Sequence, residues 1–89
     1  MSTFEENMKR NSMRYAAISH LASKFKWTRS SSYAQFEYTA TTTDPEARSL
    51  SAADVALLAD GGNLCFGSRG YTKREAGDKT IFSGIVHTD

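Results

Sequence analysis

Two different hydrophobic periodicities follow one another in the first half of this chain. Between residues 4 and 25, apolar side chains recur at steps of three, four or seven, the spacing of one side of a helix. They are Phe4, Met8, Tyr15, Ile18, Ala22 and Phe25. From Tyr33 to Thr43 apolar and polar side chains alternate, which is typical of a strand with one buried face. A change from the helical period to the strand period predicts an α+β domain.

The first helix has a recognisable start and a basic outer face. Thr3 and Glu6 fit a capping box, and no glycine or proline follows until well beyond residue 26. We expect a helix over about residues 4–26, ended by the polar residues 28–32, which predict a loop. The basic residues on or toward its outer side are Lys9, Arg10, Arg14, His20 and Lys24.

A second, shorter helix is predicted after a turn at residues 43–46, where Asp44 precedes Pro45. Ser51 is placed to cap this helix, with Asp54 at its third position. The sequence Asp60-Gly61-Gly62 ends it, with Gly61 or Gly62 in the left-handed conformation.

Strand patterns return in the last third of the chain. Residues 64–66 start one predicted strand and residues 80–86 form another, joined through a loop that contains Gly77. Gly67, Gly70 and Gly84 inside these strands predict bulges, bends or close approaches. The predicted fold is a single α+β domain over residues 1–89: a long N-terminal helix packed on a small antiparallel sheet of three or four strands, with a second short helix.

Length and composition limit the class of protein. A chain of 89 residues has a small core. It begins at Met1 without a signal-peptide pattern or a long apolar run, so we expect a cytoplasmic protein with no membrane partner. The single cysteine, Cys65, has no internal disulfide partner, and no zinc-ligand spacing occurs. No metal or cofactor is therefore expected.

The glycine-rich stretch DGGNLCFGSRG, residues 60–70, raises the question of a phosphate loop or a reactive thiol. Phosphate loops lead into a helix N-terminus, whereas these glycines follow a helix C-terminus. Cys65 lies between Leu64 and Phe66, which favours a buried structural thiol over a nucleophile. His20 and His87 belong to no paired motif, and we do not expect an enzyme.

Charge is unevenly distributed although the net charge is only +1. Residues 1–31 carry six basic and two acidic side chains, whereas residues 32–68 carry one basic and five acidic side chains. Nucleic-acid binding is one interpretation, using Arg10, Arg14 and Lys24 on the helix together with the cations of residues 69–74. A solvated helix face and a charged edge strand explain the same residues.

Protein binding is the preferred hypothesis. Ten aromatic residues exceed what so small a core can hold, so Tyr33, Tyr71 or Trp27 should be displayed on the surface. Trp27 has a second interpretation, closing the end of the core. The predicted partner-binding residues are Trp27, Arg69, Tyr71, Lys73 and Arg74.

A short chain with this compact α+β pattern, no catalytic motif and no targeting signal is similar to the small proteins with which bacteriophages and mobile elements counter host defences. Anti-CRISPR proteins are the best-known group, and LSAADVALLADGGNLCFG, residues 50–67, resembles a phage-encoded signature. The resemblance implies a stoichiometric viral inhibitor that blocks a host nuclease or nucleic-acid-binding complex by direct contact. It assigns no site residue. The implied partner is a host protein or ribonucleoprotein, and a homodimer remains open.

Overall fold

The computed structural model describes residues 3–62 and 68–87. Its helices are α1 (Thr3–Ile18), α2 (Pro45–Arg48) and α3 (Ala52–Ala59), and a 3₁₀ segment, Ser19–Lys24, follows α1. Its strands are β1 (Lys26–Ser32), β2 (Gln35–Thr42), β3 (Ser68–Ala76) and β4 (Lys79–His87). The predicted α+β class, with a long N-terminal helix, an antiparallel sheet and a second short helix, is confirmed.

The four strands form one antiparallel sheet in the order β1-β2-β4-β3. Strands β2 and β4 are central and pair without a shift from Gln35↔His87 to Thr42↔Thr80. Strands β1 and β3 are the edges. The predicted hairpin around Gly77 is confirmed as the β3–β4 connection, and the register of β3 shifts between Arg69 and Thr72, where Gly70 has φ +60°.

The predicted α-helix over residues 4–26 is too long. Regular α-helix ends at Ile18, and the chain continues as the 3₁₀ segment before it turns extended at Phe25. A 3₁₀ turn brings residues three apart onto one side, and Ile18 and Leu21 are both buried in this way. The tighter winding therefore keeps both side chains in the core.

The loop predicted at residues 28–32 is also wrong, because these residues belong to β1 and pair with β2 from Lys26↔Thr41 to Ser32↔Gln35. Their own side chains favour loops, but the neighbouring strand supplies hydrogen-bond partners for the backbone. The predicted turn at residues 43–46 is the start of α2, with Asp44 accepting a hydrogen bond from the Ala47 amide at 3.0 Å. The strand predicted at residues 64–66 lies outside the described residues.

The helices cover one face of the sheet and the core lies between the two layers. Phe82 in β4 is fully buried and stacks edge-on against Phe25 at 5.7 Å between ring centroids. Other buried side chains come from β2, α3 and β4; they include Tyr38, Ala40, Val55, Leu58 and Val86. The opposite face of the sheet carries hydroxyl-bearing residues and two half-buried isoleucines, Ile81 and Ile85.

Helix α3 links α1 to the sheet. Ser51 caps it as predicted by accepting from the Asp54 amide at 3.1 Å. At its other end Gly61 and Gly62 donate to the carbonyls of Leu58 and Leu57, which is a Schellman motif with both glycines left-handed. The ring of Tyr15 from α1 lies directly over Gly62.

Gly84 marks a close approach within the sheet, as its position in a strand predicts. It is paired with Tyr38, and a Cβ atom at Gly84 would lie 2.7 Å from the Tyr38 hydroxyl and 2.9 Å from the Tyr71 Cβ. The absence of a side chain at Gly84 thus makes room for two tyrosines on the helix-covered face.

In the part of the chain that the structure describes, no helix is long and apolar enough to span a bilayer.

The contact between Tyr15 and Gly62 can be measured with two glycine variants. Gly61 and Gly62 both have positive φ, but a Cβ would meet nothing within 4 Å at Gly61, whereas at Gly62 it would lie 2.7 Å from Tyr15. We expect Gly61→Ala to lower the free energy of unfolding by about 1–2 kcal/mol, from backbone strain alone. Gly62→Ala should lower the free energy of unfolding distinctly more. Urea denaturation of both variants measures the difference. Equal losses would mean that Tyr15 moves aside freely.

The β1–β2 loop contains a strained residue, since Ala34 has φ +62°. Left-handed backbone costs a non-glycine residue about 1–2 kcal/mol, and the greater freedom of glycine in the unfolded chain offsets part of any gain. We expect Ala34→Gly to raise the free energy of unfolding by about 0.5–1 kcal/mol. Tyr33→Gly is the matched control and should lower it, because Tyr33 does not need left-handed backbone. A loss of stability in Ala34→Gly would contradict this account.

Candidate functional site

The helix-free face of the sheet bears a shallow groove of about 300 Å³. It crosses all four strands, and the break in β3 at Gly70 opens one end of it. Its outward-facing lining residues are Thr28, Ser30, Glu37, Thr39, Ser83 and Ile85. Glu37 is the one ionisable side chain among them, and it has no ion pair within the described residues. A groove of hydroxyls with a single carboxylate offers polar contact but no pair of groups for acid–base catalysis.

The free edge of β1 is a second surface with binding capacity. Ser32 and Gln35 close the two-residue loop Tyr33-Ala34, and antiparallel pairs alternate between hydrogen-bonded and non-hydrogen-bonded. A hydrogen-bonded closing pair makes Thr28–Thr39 hydrogen-bonded too, in agreement with the Thr28 hydroxyl, which donates to the Thr39 carbonyl at 3.5 Å. The N–H and C=O groups of residues 27, 29 and 31 then point to the free edge.

Tyr33 stands at the end of this edge and is 94% exposed. An aromatic side chain that is not packed in the core offers a large, rigid contact surface to a partner. We define the β1 edge surface as Lys24, the strand Lys26–Ser32 and Tyr33.

Trp27 belongs to this surface by its backbone only. Its side chain is half-buried, donates from Nε1 to the Ala22 carbonyl at 2.9 Å, and packs 5.4 Å from the Phe25 ring. The side chain therefore closes one end of the core, which is the second of the two interpretations of Trp27. A role for it in partner binding stays a prediction.

The other predicted partner-binding residues lie on β3, at the opposite edge of the sheet. The Lys73 ammonium donates to the Leu50 carbonyl at 2.9 Å and lies 5.6 Å from the Phe82 ring centroid, so it is held by the fold. Tyr71 is 42% exposed and Arg74 is exposed. Arg69 pairs in register with Ile85, and its side chain lies outside the description.

The three residues predicted to bind nucleic acid do not form one free cationic ridge. Arg14 makes two hydrogen bonds to the Asp54 carboxylate, at 2.7 and 3.1 Å, and so ties α1 to α3. This pairing lowers the pKa of Asp54. Arg10 is exposed on α1, and Lys24 is exposed at the end of the 3₁₀ segment beside β1.

A second ionic cluster joins α2 to the β3–β4 hairpin. Arg48 donates to the Thr80 hydroxyl at 3.0 Å and to Glu75 at 3.1 Å, and Thr80 itself donates to Glu75 at 2.7 Å. The hydrogen bonds from Thr80 and Arg48 lower the pKa of Glu75. Each member has a structural partner, so the cluster stabilises the fold and leaves no group for chemistry.

Residues 3–62 and 68–87 contain no group of three side chains placed to hold a metal ion. Cys65, the sequence candidate for a nucleophile, lies outside the described residues. The Tyr38 hydroxyl is buried and has no hydrogen-bond partner among the described residues. Its burial, with a smaller effect from Tyr71, raises the pKa of Tyr38 to about 12.

The sequence does not indicate the β1 edge, because the side chains of residues 28–32 are typical of a loop. The sequence signal for β1 is weak, because Trp27 is followed by five polar residues, and only Tyr33-Ala34 separates β1 from β2. The sequence predicts Tyr33 as a surface aromatic, and the structure places it at the tip of the β1–β2 hairpin. Met13 on α1 is 65% exposed, and no pattern in the sequence predicts that exposure.

Comparison with protein-family models, with curated proteins and with solved structures gave no match. Function is therefore inferred from this chain's own residues.

The unpartnered Tyr38 hydroxyl makes a prediction about stability. A buried polar group without a hydrogen bond costs about 1–3 kcal/mol, so Tyr38→Phe should leave the free energy of unfolding at pH 7 unchanged or raise it by about 1 kcal/mol. Because the folded-state pKa lies above the unfolded value, stability is full below about pH 10 and is lost as pH rises toward 12. About two pKa units correspond to roughly 3 kcal/mol.

Urea denaturation between pH 8 and about pH 11 tests this point. In Tyr38→Phe the free energy of unfolding should fall less as pH rises. In Tyr33→Phe, which removes an exposed hydroxyl, it should fall as much as in the unchanged chain. A clear loss of stability in Tyr38→Phe at pH 7 would show that the hydroxyl has a partner.

Proposed function

We propose that this chain is a non-enzymatic protein-binding domain, an inhibitor or adaptor that acts by direct contact. The observation that carries this proposal is the β1 edge surface. It combines backbone groups that have no strand partner among the described residues with Tyr33, which is 94% exposed at the strand's end. Main-chain hydrogen bonds supply affinity in contacts of this kind, and an aromatic anchor supplies a hot spot.

Charge supports a protein partner with an acidic surface. Residues 7–36 contain six lysines and arginines and no aspartate or glutamate. Within the described residues Arg14 has an ion pair, but Lys24 and Lys26 are exposed and have none. Opposite charge on a partner would therefore orient it on this side of the molecule.

The specific form of the proposal follows from the resemblance to small phage proteins. In that form the chain is a phage-encoded blocker, and the partner is a host defence nuclease or nucleic-acid-binding complex. A stoichiometric blocker needs a contact surface and no catalytic group. The exposed β1 edge and Tyr33 meet that need with a chain of 89 residues.

Capture from host-cell lysate on the immobilised chain, with and without nuclease treatment, tests the proposal. We expect a nuclease-resistant protein partner, identified by mass spectrometry. Tyr33→Ser should reduce its capture at least about tenfold, since hot-spot aromatics contribute about 2 kcal/mol or more. Met13→Ser is the control, because Met13 is also largely exposed but lies on α1.

Two results would contradict the proposal. If nuclease treatment removes the captured proteins, the chain binds nucleic acid, and Arg10, Arg14 and Lys24 become the residues to change. If capture depends on Met13 and not on Tyr33, the contact surface is α1 and not β1.

A further inference from the structure

We infer that the partner supplies an extended acidic segment that adds to the free edge of β1 as a fifth strand. This inference rests on the proposed function and specifies its partner. The added strand would pair with the N–H and C=O groups of Trp27, Arg29 and Ser31, which the register directs away from β2. Its acidic side chains would lie near Lys24 and Lys26.

The two edges of the sheet differ in their readiness to accept a strand. Edge strands in proteins avoid unwanted pairing through bulges and charged side chains. Strand β3 has both: its register breaks between Arg69 and Thr72, and Lys73, Arg74 and Glu75 follow. Strand β1 pairs over seven consecutive residues without a shift, and its second half consists of Ser30, Ser31 and Ser32. The open edge is therefore β1.

The side chain of Arg29 does not close this edge. Its guanidinium donates to the Ala59 carbonyl at 2.9 Å and lies 4.9 Å from the Phe36 ring centroid, so it is turned over the helix-covered face. Strand β2 is the element that packs along β1, and it uses the opposite edge. A backbone approaching in the plane of the sheet meets Trp27, Arg29 and Ser31 directly.

Charge decides between a second copy of this chain and a different protein. Pairing of β1 with β1 of another copy would bring together two strands that each carry Lys26 and Arg29 and no acidic residue. Like charges on neighbouring strands are destabilising, and opposite charges are stabilising. A strand with glutamate or aspartate fits the edge, and a second copy does not.

Synthetic peptides of about seven residues, the length of β1, provide a direct test. One is acetyl-Thr-Val-Glu-Val-Glu-Val-Thr-amide, and the other replaces both glutamates by lysine. Amide hydrogen exchange of the ¹⁵N-labelled chain is followed by NMR. With the glutamate peptide we expect exchange at Trp27, Arg29 and Ser31 to slow at least about fivefold, while Thr28 and Ser30, already bonded to β2, change little. The lysine peptide should have no effect.

Two variants of one residue separate backbone pairing from side-chain contact. Ser31→Pro removes an outward N–H without removing a bond to β2, so it should fold and yet lose the effect of the glutamate peptide. Ser31→Ala keeps the N–H and should retain the effect. Thermal unfolding of both variants checks the fold, and Ser30→Pro should unfold at a lower temperature, because it removes a bond to β2.

The inference and the proposed function fail in different ways. If the glutamate peptide protects no β1 amide, and Ser31→Pro captures the lysate partner as well as the unchanged chain does, strand addition is wrong. The protein-binding function stands in that case if Tyr33→Ser still loses the partner. In the absence of peptide, protection of the three amides could increase with protein concentration. That result would identify a second copy as the occupant and would contradict the acidic partner. Equal protection by both peptides would show that the partner strand need not be acidic.

Discussion

Helix α3 lies between α1 and the β3–β4 hairpin, and the rest of the fold depends on its burial. Five consecutive residues, Val55 to Ala59, are each at most 5% exposed. Burying a valine or leucine side chain contributes about 1.5–3 kcal/mol, so this short helix stabilises a small core substantially. Around it, Arg14 pairs with Asp54, and Tyr15 lies on Gly62. These contacts fix α1 to α3 at two points.

The position of α3 also explains why β1 is exposed. It packs against the sheet mainly on β3 and β4 and receives a hydrogen bond from Arg29 of β1, while β1 packs along β2. On the β1 side of the core lie the half-buried rings of Phe36 and of Trp27, which donates a hydrogen bond to Ala22 of the 3₁₀ segment. The Arg29 side chain lies over both rings there, at 5.9 and 4.9 Å from their centroids, and reaches the end of α3 at Ala59. Its guanidinium therefore lies over the two aromatic rings and also binds the end of the helix.

Within residues 3–62 and 68–87, one edge of β1 is unpaired, and the neighbouring Lys24 and Lys26 have no ion pair. Four cations, Arg14, Arg29, Arg48 and Lys73, are held by the fold, each bound to a carboxylate or a carbonyl. Lys24 and Lys26 are bound to neither among the described residues. Lys24 and Lys26 beside β1 are thus exposed and available, which agrees with the acidic partner that we propose.

Local patterns in the sequence determined the α+β class, strand β2, the start and end of α3, the β3–β4 hairpin and the cap at Ser51. Each depends on neighbours a few residues apart: a side-chain period, a capping hydroxyl or a left-handed glycine. Only the tertiary structure decided that α1 tightens into a 3₁₀ segment after Ile18, that Lys26–Ser32 is a strand, and that Trp27 faces inward while Tyr33 faces out. Those outcomes depend on residues distant in the chain, because tertiary packing determines which residues bond to a backbone group or bury an aromatic ring.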